Sequence, residues 1–207
     1  MSFLPMFPLG TVLFPGMLLP LHVFEPRYKA MIRYCLDNEP EFGVTLITRG
    51  QETGGGEERS QIATVSRIIE VGQFPDGRYA LQSVGVRRVR VTAWLADDPY
   101  PRAMVDDWED DMMGDASSSL PDTVISKLRR LLAASSEAGY SVPDATSELS
   151  DDPLMASYHA AALAPLSTHD QQRLLLASGP TERWKLLDEM LDEQFDILRF
   201  HIGGGAV

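Results

Sequence analysis

The sequence predicts an α+β protein in two parts: an N-terminal bent β-sheet or pseudo-barrel carrying one helix over residues 1–110, then a helical bundle over residues 121–200. Three observations carry that prediction. Hydrophobic periodicity is near two in the first part and near 3.6 in the second. Prolines 8, 15, 20 and 26 cut the opening apolar run into pieces too short for a long helix, because proline lacks a donor and disfavours helix at the residue before it. Between the two parts, Glu109 to Asp122 is acidic, small and Ser-rich, and reads as a linker over 111–120.

In chain order, Val12 to Phe14 and Met17 to Val23 read as short extended segments around Pro15-Gly16, whose residue types supply turn chemistry. Pro26 suits a first helical turn, so a helix starts near Glu25 and runs to about Asn38. Tyr28, Met31, Ile32, Cys35 and Leu36 form its apolar side; Arg27, Ala30, Arg33 and Asp37 lie opposite. Phe42 to Thr48 alternates as a strand. Arg49 to Ser60, with Gly54-Gly55-Gly56, is a loop; no Lys-Ser or Lys-Thr follows at phosphate-loop spacing. Ile62 to Gln73, Arg78 to Val84 and Val86 to Leu95 are further strands, with Asp76-Gly77 a hairpin turn and Gly85 a break. Ala103 to Trp108 closes the β-rich part.

Helices follow over Pro121 to Ala138, Asp152 to Leu163, a short one capped by Ser167 and running to Leu176, and Glu182 to Phe200. In the last, Trp184, Leu187, Leu191, Phe195 and Leu198 form an apolar stripe. Residues 201–207 read as a disordered tail.

The chain of 207 residues has 44% hydrophobic and 23% charged residues, ordinary for a folded protein, and a net charge of −12, which is not. A field of that sign repels phosphate backbones and anionic lipid heads, so neither nucleic acid nor membrane is expected as a partner. Arg87-Arg88-Val89-Arg90 is the best candidate for a local basic patch that could offset this field; one solvated strand face plus a turn is the alternative. The single cysteine, Cys35, excludes an internal disulfide framework and a multi-cysteine zinc site. With no basic region ahead of the proline-punctured apolar opening, a cytoplasmic location is expected.

The ordered set Phe7, Pro8, Leu9, Phe14, Pro15, Pro20, Leu21, Phe24, Glu25, Arg27 and Tyr28 resembles the opening of the Lon substrate-binding domain, the N-terminal module of ATP-dependent Lon proteases. Phe42-Gly43, Asp76-Gly77-Arg78, Gly85 through Val91 and Pro99-Tyr100 continue the likeness, and Ala164 to Ser167, Gln171 to Leu176, Arg183 and Leu186-Leu187 extend it to about residue 200. At 59–68 the chain departs from the family, reading Arg59-Ser60-Gln61-Ile62-Ala63-Thr64 where a Val-Gly-Thr entry is common. The resemblance implies a PUA-like pseudo-barrel with a helical half, and non-catalytic binding of polypeptide: unfolded or specific clients, an adaptor, or a protease or ATPase partner. The ATPase module and the Ser-Lys catalytic domain of Lon proteases lie outside what the chain resembles.

Candidate chemistry is sparse. Leu81-Gln82-Ser83-Val84-Gly85 misses the first glycine of a serine-hydrolase elbow. His22, His159, His169 and His201 lack metal-ligand spacing, and Asp106, Asp107, Glu109, Asp110 and Asp111 lack the oxygen pattern of a calcium loop. No catalytic residue, metal ligand or cofactor is therefore expected. For binding, Phe14, Met17 and Leu18 beside the proline-glycine turn are candidates for an exposed apolar rim, the alternative being that all three point inward. Arg27 and Arg33 on the charged side of the first helix are the second set. Two other function classes stay open: a small hydrolase with a dispersed site, and a ligand- or RNA-binding pseudo-barrel.

Overall fold

The computed structural model describes residues 1–50, 56–111 and 121–203, and its chain divides into two compact units, Met1–Glu109 and Asp110–Val207. The first holds β1 (Ser2–Leu9), β2 (Leu18–Val23), α1 (Pro26–Asp37), β3 (Glu41–Arg49), β4 (Glu58–Gln73), β5 (Tyr79–Leu95) and β6 (Arg102–Asp107). The sheet order is β2-β5-β4-β3-β1-β6, and an extra β5–β6 pairing closes five of the six strands into a barrel. β2 remains outside the ring, paired only with the first half of β5.

Two cores result from the period-two alternation. Leu4, Met6, Ala63, Val65, Val89, Val91, Ala103 and Val105 fill the barrel. Gly43 belongs to that interior: a Cβ there would lie 2.9 Å from Leu4 and 2.5 Å from the Met6 sulfur, so the glycine makes room for Met6. Neighbouring Phe42 points the other way, into the core beneath α1 with Phe7, Val44, Ile68, Tyr79 and Leu81. Helix α1 contributes Tyr28, Met31, Ile32 and Cys35 to it, and Tyr28 stacks on Phe7 at 4.1 Å. Burying Met31 and Ile32 stabilises this seam by about 1.5–3 kcal/mol each. Leu36, expected on the same side, is 40% exposed at the last turn.

Several expectations change here. β1 is not among the strands expected from the sequence, and its Pro5 and Pro8 each lack a ladder donor. They are accommodated because β1 changes partner midway: Ser2 to Pro5 pair with β6, Met6 to Leu9 with β3. Each proline therefore has an unpaired side on which its missing donor costs nothing. Val12 to Phe14 forms no strand; it runs as irregular backbone pressed onto the sheet into the Pro15-Gly16 turn, with the Thr64 hydroxyl donating to Leu13 O at 2.6 Å. The two segments expected on either side of Gly85 are one strand, β5, with a register shift where Gly85 meets Ser66.

The basic cluster is largely tied into the sheet. Arg87 pairs with Glu41 at 2.8 Å and Asp107 at 2.9 Å, and Arg88 and Arg90 flank the Trp108 ring. Burial works against the Glu41 carboxylate, but the hydrogen bonds from Arg87 and Arg67 prevail and hold its pKa below the ordinary value.

The second unit contains α2 (Asp122–Glu137), α3 (Pro153–Leu163), α4 (Thr168–Leu176) and α5 (Pro180–Gly203), with α5 packed against the other three. Side-chain oxygens of Asp152 and Ser167 cap α3 and α4 at Met155 N–H and Asp170 N–H. At its centre Arg183 is fully buried, stacks 3.8 Å over Tyr158, and donates to Ser157 Oγ, Leu174 O and, at 2.6 Å, Asp110 Oδ1. Tyr158 donates to the other Asp110 oxygen at 2.5 Å. Asp110 is thus a structural ion-pair partner and not part of a solvated acidic stretch, and Asp111 N–H bonds Ser178 O. The rest of the expected linker, 112–120, lies outside the described residues, as do loop residues 51–55. Of the expected tail, 201–203 continue α5 and 204–207 lie outside the described residues.

Candidate polypeptide-binding surface

β2 presents alternate residues to solvent. Leu18 is 59% exposed, and Pro20 and His22 are exposed on the same face; Leu19 and Leu21 turn toward the α1 core. Across the ladder the outward row continues through Val84, Gln82 and Ala80 of β5. Phe74, at the tip of the β4–β5 hairpin, is 40% exposed and meets the His22 ring at 5.5 Å. Ile69 sits in a register shift of β4 at 56% exposure, and Phe24 follows β2 at 58%. Single exposed apolar residues are ordinary; here Leu18, Pro20, Phe24, Ile69 and Phe74 are exposed on this part of the sheet and its hairpin.

A groove of about 550 Å3 runs along the outer side of α1, lined by Pro26, Lys29, Ala30, Arg33, Tyr34 and Asp37 and closed by Gln73, Gly77 and Tyr79 from the hairpin. Tyr34 joins it to further aromatic surface, 6.0 Å from the Phe3 ring and 6.2 Å from Tyr100. Gly77 has φ +80°, as the hairpin turn requires, and Lys29 Nζ reaches to 3.7 Å from where its Cβ would be. Asp76 in that turn is held below the ordinary carboxylate range, first by the Arg78 backbone N–H and then by the Arg78 side chain and Lys29.

The five candidate side chains separate. Phe14 is buried, at 2% exposure, which corrects its placement on a rim. The reason is Gly85: a Cβ there would overlap the Phe14 carbonyl, so the glycine lets the turn lie flat on β5. Met17 is half-buried and packs on the α1 core. Leu18 is exposed. Arg27 is engaged with the Glu25 carboxylate at 3.0 Å and lies over the Tyr28 ring. Arg33 is exposed and lines the groove. Sequence reasoning does not single out Lys29, Phe74 or Ile69, although Lys29 stands one helical turn before Arg33 and Phe74 is an aromatic beside a turn.

Nothing at Ser83 resembles a nucleophile. Its hydroxyl is buried, accepts from Ser66 Oγ at 2.8 Å and donates to Leu19 O at 3.1 Å. His22 lies in the first unit and the other histidines on separate segments of the second, and among the described residues no three His, Cys, Asp or Glu side chains converge to hold a metal. Burial pushes the Cys35 thiol up to about 12, leaving it protonated and unreactive.

The family model for the substrate-binding domain of ATP-dependent protease La (LON) matches residues 3–193. The chain belongs to the Lon substrate-binding domain family. A Lon protease of Anaeromyxobacter dehalogenans is 26% identical over 201 residues, 95% of this chain and 24% of that protein. A LON peptidase N-terminal domain and RING finger protein of Schizosaccharomyces pombe is 31% identical over 117 residues, 51% of this chain and 24% of that protein. The chain thus spans about a quarter of the length of these curated relatives. Among solved structures, a Lon N-terminal domain protein from Xanthomonas campestris superposes with a TM-score of 0.66 at 27% identity, covering 90% of this chain and 97% of that one. The N-terminal domain of a Mycobacterium avium complex Lon protease shares the fold, with a TM-score of 0.63 at 17% identity and coverage of 92% and 98%. The match is to the substrate-binding domain of Lon and not to a catalytic domain. No helix among the described residues is long and apolar enough to cross a membrane.

Proposed function

We propose that this Lon-type domain is a non-catalytic module that captures apolar segments of unfolded or tagged polypeptides in the cytoplasm, by itself or for an adaptor or ATP-dependent protease partner. The observation that carries the reading is the outward row of exposed Leu18 and Pro20 with half-buried Val84 beside them and Phe74 at its end. Contact through this face is favoured over strand addition at the free edge of β2. Pro20 has no N–H, so its pairing with Gln82 is bridged by Leu19 and Leu21, and its nitrogen is turned to the open edge. An added strand would lose a hydrogen bond in the middle of its ladder.

The test is capture of a casein-type unfolded client by the purified protein, with a peptidase assay on the same sample. Leu18→Asp should weaken capture while changing stability by no more than about 0.5 kcal/mol, because its side chain is mostly exposed, and Phe74→Asp should weaken it too, with the cost of losing its His22 and Arg78 contacts read separately by thermal melting. Met17 is unsuitable as a probe, since its packing on the core would mix binding with stability. Capture unaffected by both substitutions, or cleavage of the client by this chain alone, would overturn the reading.

A further inference from the structure

We infer that the groove along α1 selects client segments in which a carboxylate stands beside an apolar or aromatic side chain; this rests on the polypeptide-capture reading. Its charge distribution is the reason. The chain carries a net charge of −12, and at least six of the ten arginines of the first unit stand in ion pairs: Arg27 with Glu25, Arg49 with Glu58, Arg59 with Asp97, Arg67 and Arg87 with Glu41, Arg78 with Asp76. Lys29 and Arg33 differ. Both line the groove, and neither forms an ion pair among the described residues. At an i, i+4 spacing their side chains share one face of α1, about 6 Å apart at Cβ.

The anions facing them are accounted for. Asp76 feels Lys29, but its oxygens are taken by the Arg78 backbone N–H at 3.1 Å and Arg78 Nε at 2.7 Å. Asp37, a turn beyond Arg33, also lines the groove and forms no ion pair among the described residues. Two cations against one unengaged carboxylate leave the groove net positive in a negative molecule. The rest of its wall sets apolar groups, Pro26, Ala30 and the rings of Tyr34 and Tyr79, beside the amide of Gln73 and the backbone of Gly77. A volume of about 550 Å3 falls within the range of about 300–1,000 Å3 usual for ligand clefts, enough for a few side chains of an extended segment. A carboxylate entering between Lys29 and Arg33 meets opposite charge on both sides, while its apolar neighbour covers Ala30 and Tyr34. A lysine there would meet like charge, and an asparagine neither.

The experiment compares short fluorescent peptides sharing one apolar core and flanked by Asp, Asn or Lys, with anisotropy measured on the whole protein at about 50 mM and about 500 mM salt. Expected is binding of the Asp peptide about three- to tenfold tighter than the Asn peptide, the Lys peptide weakest, and the order flattening at high salt. The double variant Lys29→Glu with Arg33→Glu, checked by circular dichroism, should reverse the order of the Asp and Lys peptides. Equal binding of all three peptides would overturn the charge selection and leave polypeptide capture standing. Failure of all three together with failure to capture casein would remove both readings. An Asp preference that survives the double variant would also sink the inference, because the selectivity would then lie elsewhere.

Discussion

Replacing Gly85 with alanine tests what places the apolar face. The added Cβ would overlap the Phe14 carbonyl oxygen, lie 3.1 Å from its carbon and 3.2 Å from Thr64 Cγ2. A backbone obstacle is not relieved by rotating a side chain, so the 13–17 turn has to lift. Lifting it strains the bonds from Gly16 N–H to Gly85 O (2.8 Å), Gly85 N–H to Met17 O (2.9 Å) and Thr64 Oγ1 to Leu13 O (2.6 Å). Losing two of these at about 0.5–1.5 kcal/mol each gives about 1–3 kcal/mol, matching the usual cost of overpacking. The expected readout is a melting temperature lowered by about 3–10 °C. Native-state hydrogen exchange at barrel amides assigns the loss to the first unit. Gly72→Ala is the control: its nearest neighbour, Ala80 O, is 4.0 Å from the new Cβ, so its effect should stay within about 0.5 kcal/mol. If the two substitutions behave alike, the close approach at Gly85 is not what seats the turn.

Further outcomes follow from the buried polar groups. Asp110→Ala strips the carboxylate from a fully buried guanidinium and should destabilise the helical unit by about 3–5 kcal/mol in urea unfolding; a change below about 1 kcal/mol would show that Arg183 is satisfied without it. Cys35 should resist alkylation at pH 8 in the native protein and react fully in denaturant, since burial holds the thiol pKa near 12; fast native labelling would contradict the buried site. Burial likewise raises Tyr28 from 10.0 to about 12, and Cys35 rises from 9.0. For both, the unfolded chain gives up its proton first, so their contribution to stability is complete below about pH 8.5 and declines as pH rises toward 12. Thermal melts across that range should show the decline, and its reduction in Cys35→Ala.

Elements whose signal is local are legible in the sequence. The spacing of Tyr28, Met31, Ile32 and Cys35 marks α1 and its buried side, Asp76-Gly77 marks the hairpin, and Ser167 with Asp170 marks the start of α4. Features made by distant parts of the chain are not. Arg183 and Asp110 are 73 residues apart, and neither position announces the other. Gly85 looks like a break in a strand because nothing nearby says that the 13–17 turn will lie across it. The binding candidates show the same limit. Phe14, Met17 and Leu18 are three apolar residues within five positions, and local pattern does not say which of them another segment covers. The cover is supplied by β5 and the α1 core, leaving Leu18 outside.

The prolines, helix breakers by their chemistry, also restrict which strands can pair. In β1 the ladder to β6 ends with the bond from Met6 N–H to Pro101 O at 2.8 Å and the ladder to β3 begins at Met6, so Pro5 precedes the β3 pairing and Pro8 follows the β6 pairing, each where one neighbour is absent. In β2 the Pro20 nitrogen faces the free edge and discourages a seventh strand. A module that binds unfolded chains gains from this arrangement. Its clients are rich in segments able to add to an open edge, and edge pairing through the backbone would be tight, indifferent to side chains and open to self-association. On the proposed reading, blocking the edge while leaving Leu18, Val84 and Phe74 on the face would confine recognition to side-chain contact, where affinity is modest and depends on client sequence. Pro20→Val restores the donor and should leave the fold intact while increasing concentration-dependent self-association, measured by sedimentation velocity; a variant that stays as dispersed as the parent would remove the edge-blocking role assigned to Pro20.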